Sequence, residues 1–192
     1  MSTKNIMIVG VGGQGSLLAS RILGNAVLLA GYDVKVSEVH GMSQRGGSVV
    51  TYVKYGDKVA SPVICRGEAD IIMSFELLEA ARWLPCLKKG GVIITNTQRI
   101  NPMPVITGAA EYPENLVEKR RASGAKVIAA DALALAREAG SEKAVNVALI
   151  GLMAKSLGFD TELLHEAVRM SVPEKFVELN LRAFELGAAA GA

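Results

Sequence analysis

The sequence predicts an α/β fold: a three-layer Rossmann-like domain with a mixed, mostly parallel sheet and a helical C-terminal layer. Three observations carry this expectation. Short apolar runs alternate with stretches of helical periodicity as far as Ala130. The first run, Ile6 to Val9, breaks into glycines at 10, 12, 13 and 15 directly before a helical stretch, the order of a strand turning into a helix. Beyond Ala130 the pattern is helical throughout. A chain of 192 residues, 50% hydrophobic, is long enough for one full core and short for two. Residues 1–187 are therefore expected to form a single domain, with 188–192 a flexible Ala/Gly tail.

The opening segment Gly10-Val-Gly-Gly-Gln-Gly15 satisfies G-x-G-x-x-G, and the helix that it feeds spans Ser16 to Ala30. Glycine lets a ligand or neighbouring backbone approach closely, and the helix start offers N–H groups to an anion. Close packing of helix on strand explains the same glycines equally well, because the motif alone is a weak signal. Val34 to Val39 is the second strand. It ends near Glu38, where a dinucleotide fold places the acid that holds a ribose hydroxyl, which keeps a nicotinamide cofactor open. The next segment is unlike that fold: His40-Gly-Met-Ser-Gln-Arg-Gly-Gly47 is a polar, glycine-punctuated loop leading into another strand with no helix between.

Ser48 to Tyr55 and Lys58 to Pro62, separated by Gly56-Asp57, predict a hairpin. Asp70 to Phe75 reads as a buried strand and Glu76 to Leu87 as a helix, ended by Lys88-Lys89-Gly90-Gly91 as dipole-complementing lysines and a left-handed cap. Val92 to Thr97 is the next strand, and Asn101-Pro-Met-Pro104 predicts an extended connection. A short helix comes next from Pro113 to Arg121, then the last strand, Lys126 to Ala130, and a helix from Asp131 to Ala139. Helices over Lys143 to Leu157, Thr161 to Met170 and on to Leu186 complete the chain, with Ser171 and Glu174 offering a capping box. Ala144 to Ala154 is apolar nearly all round, so its outer side needs either another subunit or the two C-terminal helices to cover it.

Charge and composition exclude several functions. A net charge of +2 leaves no polyanion footprint, so nucleic acid is not expected as a partner. No apolar stretch is long enough to span a bilayer and no signal peptide precedes the first strand, which places the chain in the cytoplasm. Two cysteines, Cys65 and Cys86, cannot supply the four thiolates of an iron–sulfur cluster, and no metal site is expected. The sequence lacks a serine nucleophile elbow, a His-Glu-x-x-His motif and a Walker lysine, so no catalytic residue is assigned to it. His165 shares a helix face with Glu162, Glu166 and Arg169 and reads as a solvated surface residue.

The candidate ligand-binding set is Gly12, Gly13, Gln14 and Gly15 from the first loop with His40, Ser43, Gln44 and Arg45 from the second. Both loops are expected at the C-terminal ends of adjacent strands, the edge where open α/β sheets bind ligands. Arg45 would serve as a phosphate or carboxylate fork, or as an ordinary salt bridge holding its loop.

Together, Gly10-Val-Gly-Gly-Gln-Gly-Ser16 and Glu38-Val-His-Gly-Met-Ser-Gln-Arg-Gly-Gly47 resemble the gamma-type domain of the 2-oxoacid:ferredoxin oxidoreductases, and the second loop resembles its indolepyruvate form. That resemblance implies a subunit of a complex that oxidatively decarboxylates arylpyruvates to acyl-CoA and passes electrons to ferredoxin. It also implies a larger catalytic partner carrying thiamine diphosphate, magnesium and the iron–sulfur clusters, no cofactor on this chain, and coenzyme A as co-substrate near the paired loops. The alternatives are an NAD(P)-binding Rossmann oxidoreductase using Glu38, an adenylating enzyme, which would want a catalytic cysteine, and a non-enzymatic nucleotide-binding module.

Overall fold

The computed structural model describes residues 3–38, 41–122 and 124–191. Among them, β1 (Lys4–Val11), β2 (Asp33–Glu38), β3 (Ser48–Gly56), β4 (Ala69–Ser74), β5 (Leu87–Asn96) and β6 (Lys126–Ala130) form one sheet in the order β2-β3-β1-β4-β5-β6. β3 runs antiparallel to both neighbours, while β1, β4, β5 and β6 pair in parallel, so the sheet is mixed and mostly parallel. The helices are α1 (Ser16–Leu29), α2 (Leu77–Arg82), the single turn α3 (Met103–Ile106), α4 (Leu116–Ala122), α5 (Ala132–Ala139), α6 (Val145–Leu157), α7 (Thr161–Ser171) and α8 (Val177–Ala190).

The central strands are buried on both faces, which is why they read as apolar runs without polar alternation. Ile6, Ile8, Met73 and Ile94 face a large core built with α1 and α5 to α8, whereas Met7, Val9, Ile72 and Ile93 face a smaller one closed by α2 and α4. The layers are thus unequal, and the heavy one is the C-terminal helical layer. α6 is buried without interruption from Val145 to Met153. α8 covers it at backbone distance: a Cβ on Gly151 would lie 2.0 Å from Phe184 O, and one on Gly187 would lie 2.0 Å from Ala148 O. The apolar helix is therefore sealed within the chain, and its composition gives no reason to invoke another subunit.

Several local expectations are corrected. Lys58 to Pro62 forms no strand, because β3 already has β2 on one edge and β1 on the other and so has no ladder edge left for a hairpin partner. The helix after β4 stops at Arg82. Pro85, which has no N–H to give, lies in a 3-10 turn over Leu84–Cys86, and Lys88 to Gly91 belong to β5 rather than to a helix cap. The Pro-x-Pro segment carries the turn α3, since prolines are tolerated in the first turn of a helix. Ser171 caps nothing: its hydroxyl donates to Ala167 O at 2.6 Å inside α7, and α8 starts after a 3-10 turn over Glu174–Phe176 with no side-chain cap. α8 runs to Ala190 instead of ending near Gly187, and the backbone at Gly191 lies so close to Leu152 that a Cβ there would come within 2.5 Å of its carbonyl oxygen. His165 is only 16% exposed, with Nε2 2.6 Å from Glu185 Oε1 and its ring edge-on to Phe184, so it belongs to the α7–α8 seam rather than to solvent.

Candidate functional site

The site grows from the C-terminal edge of β1. β1 ends at Val11, the chain turns through Gly12 to Gly15, and α1 begins at Ser16 with Gly15 as its N-cap at φ 90°. Gly15 has no side chain to offer, so the first-turn N–H groups carry no side-chain cap and the positive end of the helix stays available. Beneath it, buried Asn146 at the start of α6 donates from Nδ2 to Gly15 O at 3.4 Å.

β1 and β2 are not adjacent, contrary to expectation, because β3 lies between them. The two loops nevertheless meet, since the second loop delivers the chain into β3, whose first residue, Ser48, pairs with Val11. Gly12 N donates to Gly47 O at 2.9 Å. A Cβ on Gly12 would lie 2.3 Å from Ser43 O and from the Gln44 carbonyl carbon, so only glycine admits the second loop at this distance. Met42–Gln44 is a 3-10 turn closed by Arg45 N donating to Met42 O at 3.0 Å, and Gly47 N then donates to Ser43 O at 2.9 Å.

A polar chain crosses the same edge. Gln14 Oε1 accepts from Val11 N at 2.7 Å, while its Nε2 donates to Phe75 O at 3.3 Å and to Gln98 Oε1 at 3.2 Å. Asn96 Nδ2 also reaches Phe75 O, at 3.2 Å, and its Oδ1 accepts from Ala132 N at 3.0 Å. Next along lies Glu76, 1% exposed, whose carboxylate accepts from Glu79 N at 2.8 Å, from Ile100 N at 3.2 Å and from the Tyr112 hydroxyl. Burial, then the bond to Glu76, pushes the Tyr112 phenol well above its usual range. Glu79, also buried, accepts from Ser48 Oγ at 2.5 Å and from Arg82 Nε at 3.1 Å. Glu76 is thus engaged in holding the segments after β4 and β5, while Glu79 ties α2 to the start of β3.

The glycine loop is a ridge between two clefts. One, of about 300 Å³, is lined by Gly12, Gly13, Gly15 and Gln44 with Ser16 and Thr51. The other, of about 440 Å³, is lined by Gly13, Gln14 and Gly15 with Gln98 and Lys143. Of the residues singled out in the sequence, Gly12, Gly13, Gly15 and Gln44 thus share a cleft, and Ser43 touches Gly12 from behind. Arg45 is exposed, lines neither cleft and has no ion-pair partner among the described residues, so it is not a salt bridge within this set. His40 lies outside the described residues. Sequence reasoning missed Asn96, Gln98, Glu76 and Tyr112. None carries a motif; the cues were a carboxylate directly after the apolar run that ends at Phe75, for Glu76, and a polar stretch, Thr95 to Arg99, after Val92 to Ile94, for Asn96 and Gln98.

A dinucleotide is poorly served by this arrangement. Glu38 is bonded to Ser20 Oγ at 2.8 Å, and β3 stands where the nucleotide fold places its second strand beside the first. An iron–sulfur cluster does not fit either: the only cysteines are exposed Cys65 and half-buried Cys86, and among the described residues no group of three His, Cys, Asp or Glu side chains is placed to hold a metal. Nor does any described helix have the length and apolarity to cross a membrane.

Known proteins share both the sequence and the fold. Residues 5–190 match the family model for pyruvate ferredoxin/flavodoxin oxidoreductase. The indolepyruvate oxidoreductase subunit IorB of Thermococcus kodakarensis is 48% identical over 194 residues, covering 97% of this chain and 95% of its own, and that of Archaeoglobus fulgidus is 41% identical over 187 residues, covering 95% and 92%. The gamma subunit of a keto/oxoacid ferredoxin oxidoreductase from Geobacter sulfurreducens superposes with a TM-score of 0.73 at 26% identity, over 98% of both chains. A match over nearly the full length in sequence, joined to the same fold, means that the chain belongs to the pyruvate ferredoxin/flavodoxin oxidoreductase family.

Proposed function

We propose that this chain is the subunit without redox cofactors of a 2-oxoacid:ferredoxin oxidoreductase acting on indolepyruvate and related arylpyruvates. The observation that carries this is the near full-length match to indolepyruvate oxidoreductase subunits. In this reading a larger partner holds thiamine diphosphate, magnesium and the iron–sulfur clusters, which supply the decarboxylation and the path for electrons to ferredoxin. The donor set here supports that division, because two cysteines cannot ligate a cluster.

The paired loops are the part of this chain that would act on a co-substrate. N–H groups at the start of α1, exposed by a glycine loop, favour an anion, and the exposed Arg45 stands on the abutting loop. Gly12, Gly13, Gln14 and Gly15 with Ser43, Gln44 and Arg45, and with His40 beside them in the sequence, are assigned to holding or admitting the phosphates of coenzyme A. Gln14 acts through the loop, since both ends of its amide are already bonded.

The test is to produce the chain with its larger subunit and measure both substrates. Arg45→Ala is expected to raise the KM for coenzyme A by roughly 10- to 100-fold, as for loss of one charge-assisted contact, and to leave the KM for indolepyruvate nearly unchanged. Unchanged constants would remove the loop from ligand binding, and failure of assembly alone would make Arg45 an interface residue.

A further inference from the structure

At the end of the sheet opposite the glycine loop, where β1, β4, β5 and β6 begin, another cleft of about 400 Å³ is ringed by Lys4, Lys88, Lys89 and Lys126. Among the described residues its one acid is Asp70, and that carboxylate is already engaged: Oδ2 accepts from Asn5 N at 3.0 Å and Oδ1 takes Lys88 Nζ at 3.2 Å. Lys4, Lys89 and Lys126 are exposed and have no ion-pair partner among the described residues. In a chain whose whole net charge is +2, this is a marked concentration of one sign.

The backbone is shaped to produce it. In a regular strand Lys88 and Lys89 would point to opposite faces of the sheet. Here Leu87 pairs with Ala69 but Val92 pairs with Ile71, so residues 88–91 leave the ladder as an excursion, with Gly90 at φ +82°. The result is that two consecutive lysines line the same cleft.

The floor decides what kind of anion fits. It is made of buried Ile6, Ile71, Val92 and Leu157 with the ring of buried Tyr55, and Leu157 with Ser156 closes the last turn of α6, whose carbonyl end carries negative partial charge. A small, highly charged anion seated on that floor meets apolar surface and a like-signed helix end. Carboxylates held at the rim, with an apolar side chain between them on the floor, meet complementary groups at every point.

We propose that this cleft docks an acidic segment of a protein partner, one apolar side chain seated among the lysines and its neighbouring carboxylates paired with Lys89, Lys126 and Lys4. The surface is separate from the glycine-loop edge and does not depend on what that edge binds. Both can be occupied at once.

The test titrates the purified full chain with a fluorescein-labelled peptide, Glu-Glu-Leu-Glu-Glu, by anisotropy at low and moderate salt. Saturable binding is expected, falling as salt rises and reduced about two- to thirtyfold in the double variant Lys89→Gln/Lys126→Gln. It should be unchanged in Lys175→Gln, which removes a charge elsewhere, and weaker for a peptide with Ser in place of Leu. Absence of saturable binding, or equal binding by the double variant, overturns the proposal. So does inorganic tripolyphosphate displacing the peptide at concentrations well below the peptide's own Kd, which would make the cleft a small-anion site.

Discussion

Gly12 is the residue on which the candidate site turns. Its missing Cβ is what lets the second loop lie against the first, with Ser43 O and the Gln44 carbonyl carbon each 2.3 Å from where that atom would be. Because both obstacles are backbone, no rotamer change can relieve them. Gly12→Val is expected to lower stability by about 1 to 3 kcal/mol and to part the loops, read as a drop in the urea midpoint together with weaker exchange protection of the backbone amide at position 12, which donates to Gly47 O. Retention of both would mean that the loops accommodate a side chain at position 12 without parting. At this scale the sequence was partly legible. The glycines and the second loop stood out because glycine has few other uses at a strand-to-helix turn. Gln14 also stood out, but its amide bridges Val11 N, Phe75 O and Gln98, and the last two lie far along the chain where no local pattern can reveal them.

Among the elements, the α6–α8 pair has the narrowest tolerance. Gly151 and Gly187 let the two helices approach until the carbonyls of Phe184 and Ala148 occupy the space of the absent side chains. Gly151→Val should destabilise the fold by about 3 kcal/mol or more, since the neighbour that would have to give is a helix backbone and not a side chain. Circular dichroism during thermal unfolding measures this, and a midpoint within a few degrees of wild type would show that α8 can slide aside. The strands and the long helices were readable because apolar runs and helical spacing are local signals. The elements misread were those that local spacing does not decide. Lys58 to Pro62 was denied a ladder by strands already seated on both sides of β3, and the apolar spacing that suggested a helix as far as Leu87 continued past Pro85, where the backbone could not.

For the molecule as a whole, intramolecular covering of α6 has a direct consequence for how the chain behaves alone. The isolated chain should unfold in one cooperative transition whose midpoint does not move with protein concentration, because no part of the large core waits for another subunit. Calorimetry across a fiftyfold concentration range tests this, and a midpoint that climbs with concentration would show that assembly completes the core. The overall architecture was legible from the alternation of strands and helices. The strand order was not: that β3 comes between β1 and β2 is decided by which edges remain free once the sheet assembles.

The covering of α6 by α8 also has a timing. On the ribosome the most apolar helix, Val145–Leu157, is made before Val177–Ala190, and at ordinary elongation rates the interval is about 1 to 4 s. Throughout that interval a nearly uncharged helix has no lid to cover it. The nascent chain is therefore at its stickiest late in synthesis, and a stop codon just before α8 would leave that condition permanent.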